Sequence, residues 1–147
     1  MHAEDLAEDF PVVSIDSDSL AAARLLAERR LPGIVVCDTD GQPHTVLPGS
    51  QVVRFLVPGY IQDDPSLAGV LSESLADRIA DELGGVTVRA LLGDEKRELA
   101  RVNADDTVLE VAAVMARLHS PLVAVIDGTR LVGVITASRL LEAALSR

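Results

Sequence analysis

Apolar side chains at Val108, Val111, Met115 and Leu118 recur at the three- and four-residue intervals that line one face of a helix, and Thr107 with Glu110 has capping-box spacing at its start. Ser120-Pro121 stops that helix. Leu122-Val-Ala-Val-Ile126 is then continuously apolar and rich in β-branched residues, which predicts a short strand buried on both faces. Asp127-Gly128 predicts a hairpin turn into a second strand over 131–135, and a closing helix follows from Ala137 to Leu145.

The same pattern occurs earlier in the chain. Residues 13–38 run parallel to 101–127, Asp18 matching Asp106 and Pro32 matching Pro121 after one residue is gained in a turn. Ser19 stands near a helix start, 34–37 is the apolar strand, Asp40-Gly41 marks the turn and 51–56 is the closing helix. Pro48-Gly49 stands where the second unit has Thr136-Ala137, so the third strand of the first unit is expected to be short and irregular. Between the units, Asp64-Pro65-Ser66 opens a helix whose stripe Leu67, Leu71, Leu75, Ile79 and Leu83 predicts a single amphipathic element of about five turns, ended by Gly84-Gly85. Residues 86–92 and the charged 93–98 loop lead into the second unit, and 3–10 reads as a smaller counterpart of 86–92. The expected architecture is α/β (α+β), two β-α-β-β-α units, divided into residues 1–60, a linker over 61–85, and 86–147.

Composition narrows the function. Of 147 residues 48% are hydrophobic and 2% aromatic, so the core is aliphatic, and Phe10, Phe55 and Tyr60 give no platform for stacking bases. The net charge of −10 repels a phosphate backbone, which argues against nucleic-acid partners. That charge is uneven: 9 acidic and 4 basic residues over 1–60, 9 and 4 over 61–100, and 5 of each over 101–147, so a small anion is better placed in the last third. One cysteine, Cys37, excludes an intramolecular disulfide, and no apolar run is long enough for membrane insertion. The acidic opening differs from a secretory leader, and the expectation is a cytoplasmic protein. No nucleophile-elbow, P-loop or dinucleotide motif occurs, so no catalytic residue is assigned and the chain is read as a non-enzyme. His2, His44 and His119 are isolated, so no metal site is assigned.

The repeat and the sequence S-P-L-V-A-V-I-D-G-x-x-L-V-G-V-I-T-x-x-x-L-L at 120–141 resemble a tandem pair of CBS (cystathionine-β-synthase) domains, a Bateman module, over nearly the whole chain. The resemblance implies two CBS repeats packed about a pseudo-two-fold axis and a homodimer. It also implies clefts for AMP, ADP, ATP or S-adenosylmethionine, and a regulatory role toward another protein. The family's ligand motif places Gly, a hydroxyl and Asp at spacings met here by Gly133, Thr136 and Arg139 in the second unit, and by Thr45, Pro48 and Gln51 in the first. Arg139 has donors and no acceptor, so it cannot take the carboxylate's hydrogen bonds from a ribose, but it suits a phosphate. The expected site is therefore the second cleft, with Arg101, Val102, Pro121, Leu122, Thr136 and Arg139, and the first is read as degenerate. Each residue also has a plainer role: Thr136 as a helix cap, Arg139 as a solvated or interface arginine, Val102 and Leu122 as core. The alternative to a sensor is a ligand-free dimerisation or docking scaffold, which the two missing aspartates favour.

Overall fold

The structure, a computed structural model, describes residues 1–70, 74–94 and 97–146, with the side chain of Val70 left aside. Its elements run α1 (Ala3–Leu6), β1 (Val12–Ser14), α2 (Ser19–Glu28), β2 (Gly33–Cys37), β3 (Pro43–Pro48), α3 (Gly49–Leu56) and α4 (Gly59–Asp63). A 3-10 helix (Pro65–Val70) follows, then α5 (Leu75–Leu83), α6 (Val88–Leu92), β4 (Arg101–Asn103), α7 (Val108–Leu118), β5 (Leu122–Asp127), β6 (Arg130–Thr136) and α8 (Ala137–Leu145). The chain thus carries two three-stranded sheets of order β1-β2-β3 and β4-β5-β6. In each, the first pair is parallel and the second antiparallel, and the central strand slips register at an equivalent place, Val36/Cys37 and Val125/Ile126.

Local chemistry explains the helix starts. Thr107 Oγ1 accepts from the Glu110 amide at 3.2 Å and donates to the Glu110 carboxylate at 3.3 Å, which fixes the first turn of α7. Asp18 accepts from the Ala21 amide at 3.3 Å and does the same for α2. The two apolar central strands are buried along most of their length, as continuous hydrophobic runs should be.

Two expectations need correction. β3 is six residues long, so it is not short, while the expected irregularity is present: it pairs with β2 from Gly33↔Pro48 to Val36↔Thr45 and then shifts register to Cys37↔Pro43. Pro48 sits at its last position with φ −71°, where a fixed φ is harmless, and the following Gly49 amide donates to Pro32 O at 3.1 Å. The linker is not one five-turn helix. Ser74 adopts an extended conformation and its Oγ accepts from the Asp77 amide at 3.1 Å, so it starts a new helix, α5, after the 3-10 segment. Leu71 lies outside the described residues. Among the described residues of the apolar stripe, Leu83 is fully buried and Ile79 packs against the first core, whereas Leu67 and Leu75 are exposed.

The packing crosses the units. The core of the first sheet is completed by Leu83, Val88 and Leu91 of α5 and α6, and that of the second by Ala3 and Leu6 of α1. Matching backbone hydrogen bonds tie each short helix in place: Val88 N to Ser17 O and Arg89 N to Ile15 O, both 2.9 Å, against Ala3 N to Asp106 O at 2.8 Å and Glu4 N to Ala104 O at 3.0 Å. Residues 3–6 and 88–92 are counterparts, each serving the sheet that the other's flanking sequence builds. A third apolar cluster, Val35, Val46, Leu99, Leu122, Ala124, Ile126 and Val134, joins the two sheets.

Candidate functional site

The equivalent ends of β3 and β6, each running into a helix, frame two clefts, and the two differ. In the first, a cavity of about 530 Å³ lies between β3, α3 and the segment that follows α6. Ile15, Val46 and Leu92 supply apolar wall, and Gln51, Arg89 and Arg97 supply polar wall. Arg97 Nη2 donates to Gln51 Oε1 at 3.3 Å, while Thr45 Oγ1 donates to the Arg97 carbonyl at 3.2 Å. Arg89 pairs with Asp16 at 3.0 Å, both side chains more than half exposed, which makes the contact a solvent-screened one. His44 and Asp94 add to the polar lining, which among the described residues includes two guanidinium groups and one carboxylate. A smaller hollow of about 120 Å³ shares Thr45, Val46, Pro48 and Arg97 with it and extends toward His119 and Pro121 of the second unit.

Beside the corresponding end of β6 lie the residues that follow α1. Glu8 and Val134 exchange two backbone hydrogen bonds of 2.8 Å, so the residues after α1 lie along β6. Thr136 is buried and caps α8, accepting from the Arg139 amide at 3.2 Å, with Ser138 Oγ 3.3 Å away. Arg139 Nε donates to Leu6 O at 3.3 Å and its Nη1 reaches Glu142 at 3.2 Å.

The six residues expected from the sequence separate into groups. Thr136 and Arg139 come together at the start of α8, with Leu122 beside Thr136 across the β5–β6 pair. Leu122 is fully buried in the cluster between the sheets. Arg101 and Val102 lie on β4, with β5 between them and β6; Val102 is in the second core and Arg101 is exposed. Pro121 lines the smaller hollow. Arg89 and Arg97 were not anticipated. For Arg97 the signal was the length of the connection after each short helix: 93–100 spans eight residues before β4, while 7–11 spans five before β1. The longer connection carries Arg97 and Asp94.

Among the described residues no group of three or more His, Cys, Asp or Glu side chains is placed to hold a metal ion, and no helix is long and apolar enough to cross a membrane. Burial, followed by the charge of Asp38, pushes the Cys37 thiol above its ordinary value.

Paired sheets of this topology, with a cleft at the end of each third strand, define a CBS-pair fold, and the comparisons with known proteins agree. The CBS domain family profile matches residues 88–146. A CBS-domain-containing protein of unknown function from Kribbella flavida is 64% identical, with 99% of each chain covered and a TM-score of 0.88. This protein belongs to the CBS-domain family. More distant structures share the fold: a conserved CBS-domain protein from Thermoplasma acidophilum, 22% identical over all of this chain and 70% of that one, TM-score 0.68, and CBSX2 in complex with AMP, 18% identical over 98% and 96%, TM-score 0.68. No curated protein sequence matches.

Proposed function

We propose that this chain is a regulatory, non-catalytic CBS pair that binds an adenosine nucleotide or related adenosyl ligand and passes its occupancy to a protein partner in the cytoplasm. The observation that carries the reading is the cavity of about 530 Å³ in the first cleft, whose lining divides between apolar Ile15, Val46 and Leu92 and cationic Arg89 and Arg97. That division suits a flat heterocycle joined to phosphate, with a guanidinium meeting the anion through paired donors. Gln51 Oε1 and Asp94 supply the acceptors that ribose hydroxyls need, in place of the family's carboxylate after the third strand. CBSX2, of the same fold, is known in complex with AMP. The cavity weights the reading toward the first cleft, although the motif residues Thr136 and Arg139 stand in the second. A phosphate beside Arg97 that binds one arrangement of the two units more tightly than another meets the condition for signalling. We further propose a homodimer, supported by the exposed Leu109 of α7 and Leu141 and Leu145 of α8.

Thermal unfolding in the presence of AMP, ADP, ATP and S-adenosylmethionine tests the ligand. Binding stabilises the fold by about 2.7 kcal/mol at a hundredfold excess over Kd. No shift with any of the four at millimolar concentration would overturn the sensor reading and leave the docking scaffold.

A further inference from the structure

We propose that residues 6–10 act as a permanent internal strap that fills the second cleft, so that each chain offers one open ligand cleft instead of two. The backbone of Glu8 is paired in both directions with Val134, at 2.8 Å each way, as a short strand addition to the open edge of β6. Gly133 makes this approach physically accessible. A Cβ on Gly133 would sit 2.7 Å from Glu8 O and 3.0 Å from Ala7 Cβ, closer than real atoms pack, and the glycine's φ is not positive, so what it supplies is space. At the same register in the first unit stands Thr45, whose hydroxyl reaches Arg97 O at 3.2 Å. In the first unit the connection thus meets the strand through a side chain, whereas in the second backbone meets backbone directly. Arg139 adds the other clasp: at the position where the family carries a ligand-binding carboxylate, its Nε donates to Leu6 O at 3.3 Å. Burial of Ala3 and Leu6 in the second core anchors the strap upstream, and the five residues from there to β1 leave little slack to lift it.

The test uses the full chain and amide hydrogen exchange, with AMP as the ligand probe. In the wild type the amides of Glu8 and Val134 exchange slowly, and AMP binds at no more than one per chain. Gly133→Thr, which gives β6 the residue found in β3, speeds exchange at Glu8 and Val134 roughly tenfold or more while Val123 and Val125 in β5 stay slow. If that variant also loses protection in β5, Glu8→Pro replaces it. Glu8 is exposed, and the change deletes only the amide that donates to Val134 O; Ala7, with φ −62° and ψ 134°, is already in the conformation that precedes proline. Val134 is then the amide that speeds up. Fast exchange at both amides in the wild type, unchanged protection in the folded variant, or two AMP bound per wild-type chain overturns the strap. The proposal rests on the ligand reading only for what the strap excludes. A wild type that binds no AMP removes the nucleotide reading from the first cleft, and the exchange result still decides the strap.

Discussion

Arg97 and Gln51 meet at 3.3 Å across the first cavity, although they come from different units and stand 46 positions apart in the chain. The contact is exposed, so it adds little to stability. Arg97→Ala should weaken ATP by an amount in the range of a charge-assisted hydrogen bond, about 1.5–3 kcal/mol, and adenosine much less. Isothermal titration of both ligands measures the difference. Equal losses for the two would take the phosphate away from Arg97.

Thr136 is the motif residue that survives in the second unit, and the structure gives it the work of a helix cap. Thr136→Ala should cost about 1 kcal/mol of stability, measured by urea unfolding, and leave AMP affinity unaltered. A clear fall in AMP affinity in the folded variant would place the ligand in the second cleft.

Leu6 lies close to the beginning of the chain, yet it is 1% exposed and packs with the second sheet's core. Leu6→Ala should therefore cost about 2–5 kcal/mol, as truncation of a buried leucine does. Leu91→Ala, its counterpart in the first core, should cost a similar amount. Chemical denaturation distinguishes this from the small change expected of a frayed terminus.

The Cys37 thiol is pushed up by burial and by Asp38, so at neutral pH it is less ionised than a free cysteine. Alkylation by iodoacetamide should run more slowly in the native protein than in the unfolded chain, because the thiolate is the nucleophile. The linkage has a definite sign. The folded state holds the thiol proton more tightly, so this contribution to stability is complete below the unfolded thiol's pKa and is lost as pH rises through the folded value. Cys37→Ala should flatten that alkaline decline in unfolding experiments.

The repeat, the order of strands and the capped start of α7 were legible because each depends on residues adjacent in sequence: Thr107 with Glu110, the apolar run 122–126, the turn at Asp127-Gly128. The continuous linker helix was misread because the leucine stripe satisfies helical spacing straight through Ser74, and periodicity carries no record that a serine hydroxyl has captured an amide and restarted the helix. Pro48 suggested a short, irregular β3, but proline shortens a strand only where its missing amide would have paired, and this one stands at the end; the irregularity lies at the other end, where the register shifts between Thr45 and Pro43. The cavity was harder to foresee. Matching residues to the family motif looks only at the strand-to-helix turn, whereas the occupancy of each cleft depends on the facing connection, its length, and whether position 45 or 133 carries a side chain.

The exchange of α1 and α6 between the sheets has a consequence for how the molecule comes apart. Neither sequence half contains all of its own core: a fragment ending in the linker would lack Val88 and Leu91, and the remaining fragment would lack Ala3 and Leu6. Each piece alone would expose an apolar floor, and mixing the two would restore both cores at once. The repeated sequence thus behaves in folding as one cooperative body, and duplication here has produced mutual dependence where it might be expected to produce two separable copies.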